Sequence, residues 1–114
     1  DWVKEITPDP VFLFRYSALT FNGHRIHYDG EYVRDVEGYP GLIVHGPLTA
    51  TLLLELAREN QPSDRFQSVV VRAHRPLFAG NKLVVQGLRT DVGAQTWALD
   101  PEGFVAMTVD IVFG

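Results

Sequence analysis

Along this chain the hydrophobic residues change their spacing from one segment to the next. In VFLFRYSAL, Val11 to Leu19, apolar and aromatic side chains follow one another with little interruption, which predicts a buried strand running into a turn at Ser17. Before it, DWVKEITPDP sets two prolines and three acids around one Trp and predicts an irregular lead-in. Further on, Asp29 is placed to N-cap a short helix over GEYVRDVEG, with Tyr32, Val33 and Val36 on one face. Gly38, Pro40 and Gly41 end it in a loop. The clearest helix is GPLTATLLLELAREN. Pro47 suits its first turn, where a missing N–H costs nothing, and Gly46 sits just outside. Leu48, Leu52, Leu53 and Leu56 form an apolar side that Ala50, Leu54 and Ala57 extend almost all the way round. Glu55, Arg58 and Glu59 arrive only in the last turns. Such a helix needs a larger element wrapped around it. From Arg65 the period drops to two: FQSVVVRAHRPLF, KLVVQGLRTD, QTWALD and FVAMTVDIVF read as four strands. Turn residues at 79–81, 91–93 and 100–103 separate them and predict an antiparallel meander. The expected class is α+β, one long helix packed on a curved antiparallel sheet.

Composition narrows the possibilities. With 114 residues the chain suits a single domain spanning 1–114, and its 46% hydrophobic and 21% charged residues are those of an ordinary globular protein. The net charge is −4 and the basic residues are scattered, which argues against a nucleic-acid partner. No cysteine is present, so disulfides, thiolate metal sites and a Cys nucleophile are excluded. No apolar run approaches the roughly 18 residues of a membrane span. The first residue is Asp1 rather than Met, which leads us to expect a processed piece with further residues upstream.

Candidate chemistry is concentrated in FNGHRIHYDG, Phe21 to Gly30. A metal site would draw on His24, His27 and Asp29, but Arg25 places a permanent positive charge between the histidines, and no HExxH pattern is present. A nucleophilic triad would need Ser17, yet no G-x-S-x-G elbow surrounds it. Acid–base chemistry fits better. His27 alternates with Ile26 and Tyr28 and titrates near neutral pH, while Asn22 can both donate and accept and so orient a water molecule. The plainer readings are a packed histidine, an Asn-Gly turn, a solvated Arg25 and an Asp29 that only caps a helix. A second constellation is YPGLIVHGPL. There Gly46 places free N–H groups at a helix start, a site for an oxyanion, beside His45, which either packs in the loop or touches a ligand.

HRIHYD followed by EGYPGLIVHGPLTATLL resembles the MaoC-like hydratase/dehydratase group of hotdog-fold proteins over about Val11 to Phe113. The similarity is greatest to the type 2 hydroxyacyl-thioester dehydratases and mesaconyl/citramalyl-CoA hydratases. The resemblance implies a hotdog fold, a long central helix wrapped by a curved antiparallel β-sheet, either alone or as one half of a double-hotdog precursor. It implies a hydro-lyase that reversibly hydrates a 2-enoyl-CoA or other acyl thioester to the 3-hydroxyacyl thioester, with no cofactor beyond the CoA or acyl-carrier group of the substrate. Asn22, His27 and Gly46 would carry the catalysis, and Arg25, Val44 and His45 would contact substrate. Where MaoC-like R-specific hydratases have Asp-x-Asn-Pro-Leu-His, this chain has Asn22 for the Asp, His24-Arg25-Ile26 for Asn-Pro-Leu, and His27 for the His. Asn for Asp removes one of two acid–base groups and leaves His27 as the proton carrier. The alternatives are a hotdog thioesterase, for which the only acids on the long helix, Glu55 and Glu59, stand far from its N-terminus, or a non-catalytic scaffold subunit. Arg25, Arg72 and Arg75 remain open between a substrate carboxylate, CoA phosphates and solvent. A homodimer or a pairing with a second hotdog domain is expected, in the cytoplasm or, as the alternative, the mitochondrial matrix.

Overall fold

A strand lies among the charges of the first ten residues. In the structure, a computed structural model that describes residues 1–20 and 25–114, β1 (Trp2–Ile6) pairs antiparallel with β3 (Leu83–Arg89). The expected lead-in is therefore a sheet edge. Trp2 and Ile6 pack on the core while the residues between them face solvent. Trp2 stands opposite Gly87, where an added Cβ would come within 2.9 Å of the indole and 2.7 Å of Thr96. The missing side chain makes room for the Trp.

The apolar run that follows is a helix, not a strand: α1 covers Pro10–Leu19. Asp9 caps it by accepting from Phe12 N at 2.7 Å, Pro10 occupies the first turn, and the Thr20 hydroxyl donates to Tyr16 O at 2.8 Å. Ser17 is thus in the last turn of a helix rather than in a loop. Leu13 and Ser17, four apart, are buried, whereas Val11, Phe14 and Leu19 are exposed. An all-round apolar helix carries no period to distinguish it from a buried strand. The Asp-Pro start was the legible signal.

A single 3-10 turn (Arg25–His27) leads to α2 (Gly30–Asp35), which Asp29 caps through Tyr32 N at 3.1 Å, as expected. Of its proposed apolar face only Val33 is buried; the helix ends before Val36, which is 67% exposed. The long helix α3 (Gly46–Asn60) is where its sequence places it. Leu48, Thr49, Leu53, Leu56 and Ala57 are buried, and the helix lies across β3, β4 (Gly93–Leu99) and β5 (Val105–Phe113). From the sheet, Leu83, Val85, Ala94, Ala98, Val109 and Ile111 meet it. Leu52 and Leu54 are only half covered, so the wrapping is less complete than the sequence suggests.

β3, β4 and β5 form the expected meander, but β2 (Phe66–Ala73) does not join it through β3. The sheet order is β1-β3-β4-β5-β2, so residues 74–82 cross from one edge to the other rather than making a hairpin at 79–81. A single helix under a curved antiparallel sheet is the hotdog arrangement. Among the described residues no helix is long and apolar enough to cross a membrane.

If α3 is the core, shortening its most buried side chain is expected to be costly. Leu53→Ala should lower unfolding free energy by about 2–5 kcal/mol in a denaturant titration, whereas a change at exposed Val11 should stay within about 0.5 kcal/mol.

Candidate active site

The 3-10 turn and the loop before α3 hold each other by two hydrogen bonds. Ile43 N donates to Ile26 O at 2.8 Å, and His27 Nδ1 donates to Ile43 O at 2.6 Å. A carbonyl only accepts, so Nδ1 carries the hydrogen. The lone pair of neutral His27 is then on Nε2, the nitrogen able to exchange a proton. His27 is 8% exposed, and its ring stacks on His45 with centroids 3.7 Å apart and planes 18° from parallel.

His45 is fully buried. Its Nε2 shares a 2.7 Å hydrogen bond with Ser17 Oγ, and Tyr16 meets its ring edge-on at 4.7 Å. Among the described residues Nδ1 has no hydrogen-bond partner. Burial first, and the nearby His27 second, push its pKa from 6.5 down to about 4, so it is neutral at physiological pH. A buried Ser–His contact invites comparison with a nucleophile and its base, the triad for which Ser17 was the candidate in the sequence. Two observations oppose that role: Ser17 is 6% exposed, and among the described residues no carboxylate orients His45 through Nδ1; burial also makes His45 a weaker base.

Two residues along from Val44, α3 begins. Its first helical bond runs from Thr49 N to His45 O at 3.0 Å, and the Thr49 hydroxyl reaches the same oxygen at 3.3 Å. Gly46 N–H and Leu48 N–H precede that bond and have no acceptor within the helix; Pro47 has no N–H to satisfy. Gly46 is exposed, its φ is not positive, and nothing lies within 4 Å of where its Cβ would stand. Backbone geometry therefore does not explain the glycine. It borders a cleft of about 340 Å³ shared with Ile43, Val44, Thr49, His74, Arg75, Leu77 and Met107, and none of the lining residues is Asp or Glu.

The expected site residues therefore divide. Gly46 and Val44 line the cleft, His27 is tied to its wall at Ile43, and His45 stacks on His27 and is not among the lining residues. Arg25 is not at the cleft; it pairs with Asp29 at 2.9 Å and lies 4.0 Å over the Tyr32 ring. Asp29 accepts from Tyr32 N and Arg25, in that order of effect, which holds its pKa below the usual carboxylate value. Asn22 and His24 lie outside the described residues. Glu55 and Glu59 pair with Arg58 and Lys4 at exposed positions near the far end of α3. Of the other arginines, Arg72 pairs with Asp110 and Arg75 with Asp100, each at 3.5 Å. Sequence reasoning missed Ser17 and Tyr16 as partners of His45, because reading Val11 to Leu19 as a strand hid their helical placement. No group of three or more His, Cys, Asp or Glu able to hold a metal ion is found among the described residues.

The family model for hydroxyacyl-thioester dehydratase type 2 matches residues 1–79. The chain is 46% identical over 115 residues to mesaconyl-C(4)-CoA hydratase of Chloroflexus aurantiacus, covering 97% of this chain and 39% of that protein. It is 36% identical over 110 residues to the mitochondrial hydroxyacyl-thioester dehydratase type 2 of Schizosaccharomyces pombe, covering 92% and 36%. The chain thus spans well under half the length of these relatives. Among solved structures, the (R)-hydratase from A. caviae involved in PHA biosynthesis superposes with a TM-score of 0.85 at 20% identity, over 97% of this chain and 90% of that one. That likeness concerns the fold.

The low pKa of His45 has a consequence for stability. Between pH 4 and 6.5 the unfolded chain holds a proton at this residue that the folded one does not, so stability rises with pH across that window. Replacing His45 with Gln should flatten the slope by up to about 1.4 kcal/mol per pH unit, the limit for one group, in denaturation measured at several pH values.

Proposed function

The chain belongs to the type 2 hydroxyacyl-thioester dehydratase family within the MaoC-like hotdog proteins, and on that premise we propose that it forms the catalytic hotdog unit of a hydro-lyase acting on 2-enoyl thioesters. The observation that carries this reading is the short segment Ile43–Gly46: at one end Ile43 O holds His27, and at the other Gly46 opens α3 into the cleft. A proton carrier and an oxyanion site are thereby attached to one rigid stretch of backbone.

In the hydration direction the thioester carbonyl oxygen accepts from Gly46 N–H, where the helix dipole also favours negative charge. A water held by Asn22 and His27 Nε2 adds its oxygen to Cβ and gives a proton to Nε2. The carbon–carbon π electrons move toward the thioester oxygen as an enolate, and Cα then takes the proton from His27. Dehydration is the reverse. The nitrogen assignment supports this sequence, since the Ile43 carbonyl keeps hydrogen on Nδ1 and leaves Nε2 to cycle. A CoA or acyl-carrier thioester serves as the substrate. Thioester hydrolysis is disfavoured by the absence of any carboxylate in the cleft lining.

We also propose pairing with a second hotdog unit through β2. It is an edge strand, exposed on nearly every residue, and Val69, Val70 and Val71 stand in solvent at 39%, 48% and 44%. An unprotected apolar edge suits strand-to-strand association. Arg72, already bound to Asp110 across β5, does not guard it strongly.

Incubation with a 2-enoyl-CoA should remove the enoyl absorbance without releasing free thiol; thiol release in its place would sink the hydratase reading. His27→Ala should fold normally and lose about 10²–10⁴-fold in kcat, the usual contribution of a positioned acid–base group. Near wild-type turnover in that variant would remove His27 from the mechanism.

A further inference from the structure

His45 is difficult to explain as a ligand contact. It is fully buried, is not among the residues lining the cleft, and among the described residues leaves Nδ1 unsatisfied, an arrangement that a plain packing position would fill with Leu or Phe. Among the described residues its ring meets Ser17 Oγ at 2.7 Å, the Tyr16 edge at 4.7 Å, and the face of His27 at 3.7 Å. The first two come from α1 and the third from the 3-10 turn, while its own backbone starts α3.

We propose that Ser17 and His45 are positioning residues, with Ser17 fixing the His45 ring and the His45 face fixing the plane of His27, so that His27 Nε2 is held on the reacting atoms. This deepens the hydro-lyase reading and rests on it. The bond from His27 Nδ1 to Ile43 O fixes one point of the imidazole. The ring stacked 3.7 Å away restrains the tilt of its plane, because tilting His27 either drives it into His45 or opens a void between them. One of these contacts acts at an atom and the other on the plane of the ring, and both bear on where Nε2 points.

The chemistry of His45 suits that duty. A charged neighbour would oppose protonation of His27, whereas a buried neutral ring offers a flat face without opposing it. Ser17 also selects the tautomer. If the hydrogen were on Nδ1, a buried N–H would be left without an acceptor, and such orphan donors are rare. With the hydrogen on Nε2, donated to Ser17 Oγ, the atom left over is a lone pair. His27 and His45 are thereby assigned opposite tautomers, Nδ1–H and Nε2–H.

The tautomers are read in the wild-type chain by long-range nitrogen–proton NMR of the histidine rings, without substrate. Nε2–H on His45 together with Nδ1–H on His27 is expected; Nδ1–H on His45 would overturn the assignment, whether or not any variant folds. Ser17→Ala then tests the coupling. It should shift or broaden the His27 ring signals and lower kcat by about ten- to a hundredfold, the scale of a small misplacement of a reacting group, with KM little changed because Gly46 is untouched. Ser17→Thr, which keeps the hydroxyl, should restore most of kcat. Wild-type kcat and unmoved His27 signals in Ser17→Ala would refute the positioning role while leaving His27→Ala to judge the hydratase reading separately. An acyl adduct found by mass spectrometry on the wild type and lost in Ser17→Ala would make Ser17 a nucleophile and equally refute it. Should the wild type prove inactive on enoyl thioesters, the hydro-lyase reading falls, and the His27 ring signals alone decide whether Ser17 and His45 set that ring.

Discussion

Burial of one face of α3 is the constraint on which the remainder of the molecule depends. Leu48, Leu53, Leu56 and Ala57 leave water only because the sheet curves across them, and each large side chain so covered is worth about 1.5–3 kcal/mol. The same geometry determines where chemistry is available. The helix middle is committed to the core, and its last turns carry exposed ion pairs at Glu55 and Glu59. The N-terminus cannot be sunk into the core, since its N–H groups would have no acceptors. It emerges at the rim, where Gly46 borders the cleft.

That rim is rigid because three elements meet in one small polar knot. α1 brings Ser17 and Tyr16, the 3-10 turn brings His27, and the start of α3 brings His45. Around it, Ile43 exchanges backbone and side-chain hydrogen bonds with residues 26 and 27, and Val44 N donates to Leu77 O. Polar groups inside a core are costly unless paired, so an almost fully paired knot specifies one arrangement more strictly than apolar packing can. The price, among the described residues, is an unpaired nitrogen on His45 and a pKa held near 4.

Legibility followed the strength of local signals. α3, the meander β3–β5 and the Asp29 cap were readable because a helical period, a strand period and a capping side chain each act over a few residues. α1 was misread because VFLFRYSAL is apolar on every side and its exposed face, Val11, Phe14 and Leu19, mimics core. β1 was missed because only Trp2 and Ile6 of its five residues turn inward. The place of β2 beside β5 depends on a crossover spanning residues 74–82, which no local turn residue encodes. Gly46 was readable as the start of α3, whereas the pairing of Arg25 with Asp29, four residues along, was not. His45 was noticed beside the helix start, but its contacts with Ser17, Tyr16 and His27 were not legible.

By itself the sequence determined the α+β class, the central helix with Gly46 at its start, and the membership of His27 in a polar turn, since each follows from spacing along the chain. Tertiary structure decided which side of each residue matters. Whether His27 presents Nδ1 or Nε2 depends on a carbonyl 16 residues away, and whether His45 is charged depends on water excluded by α1 and His27. Those are contacts between segments distant in sequence, and a pattern of types along a chain carries no distance between them.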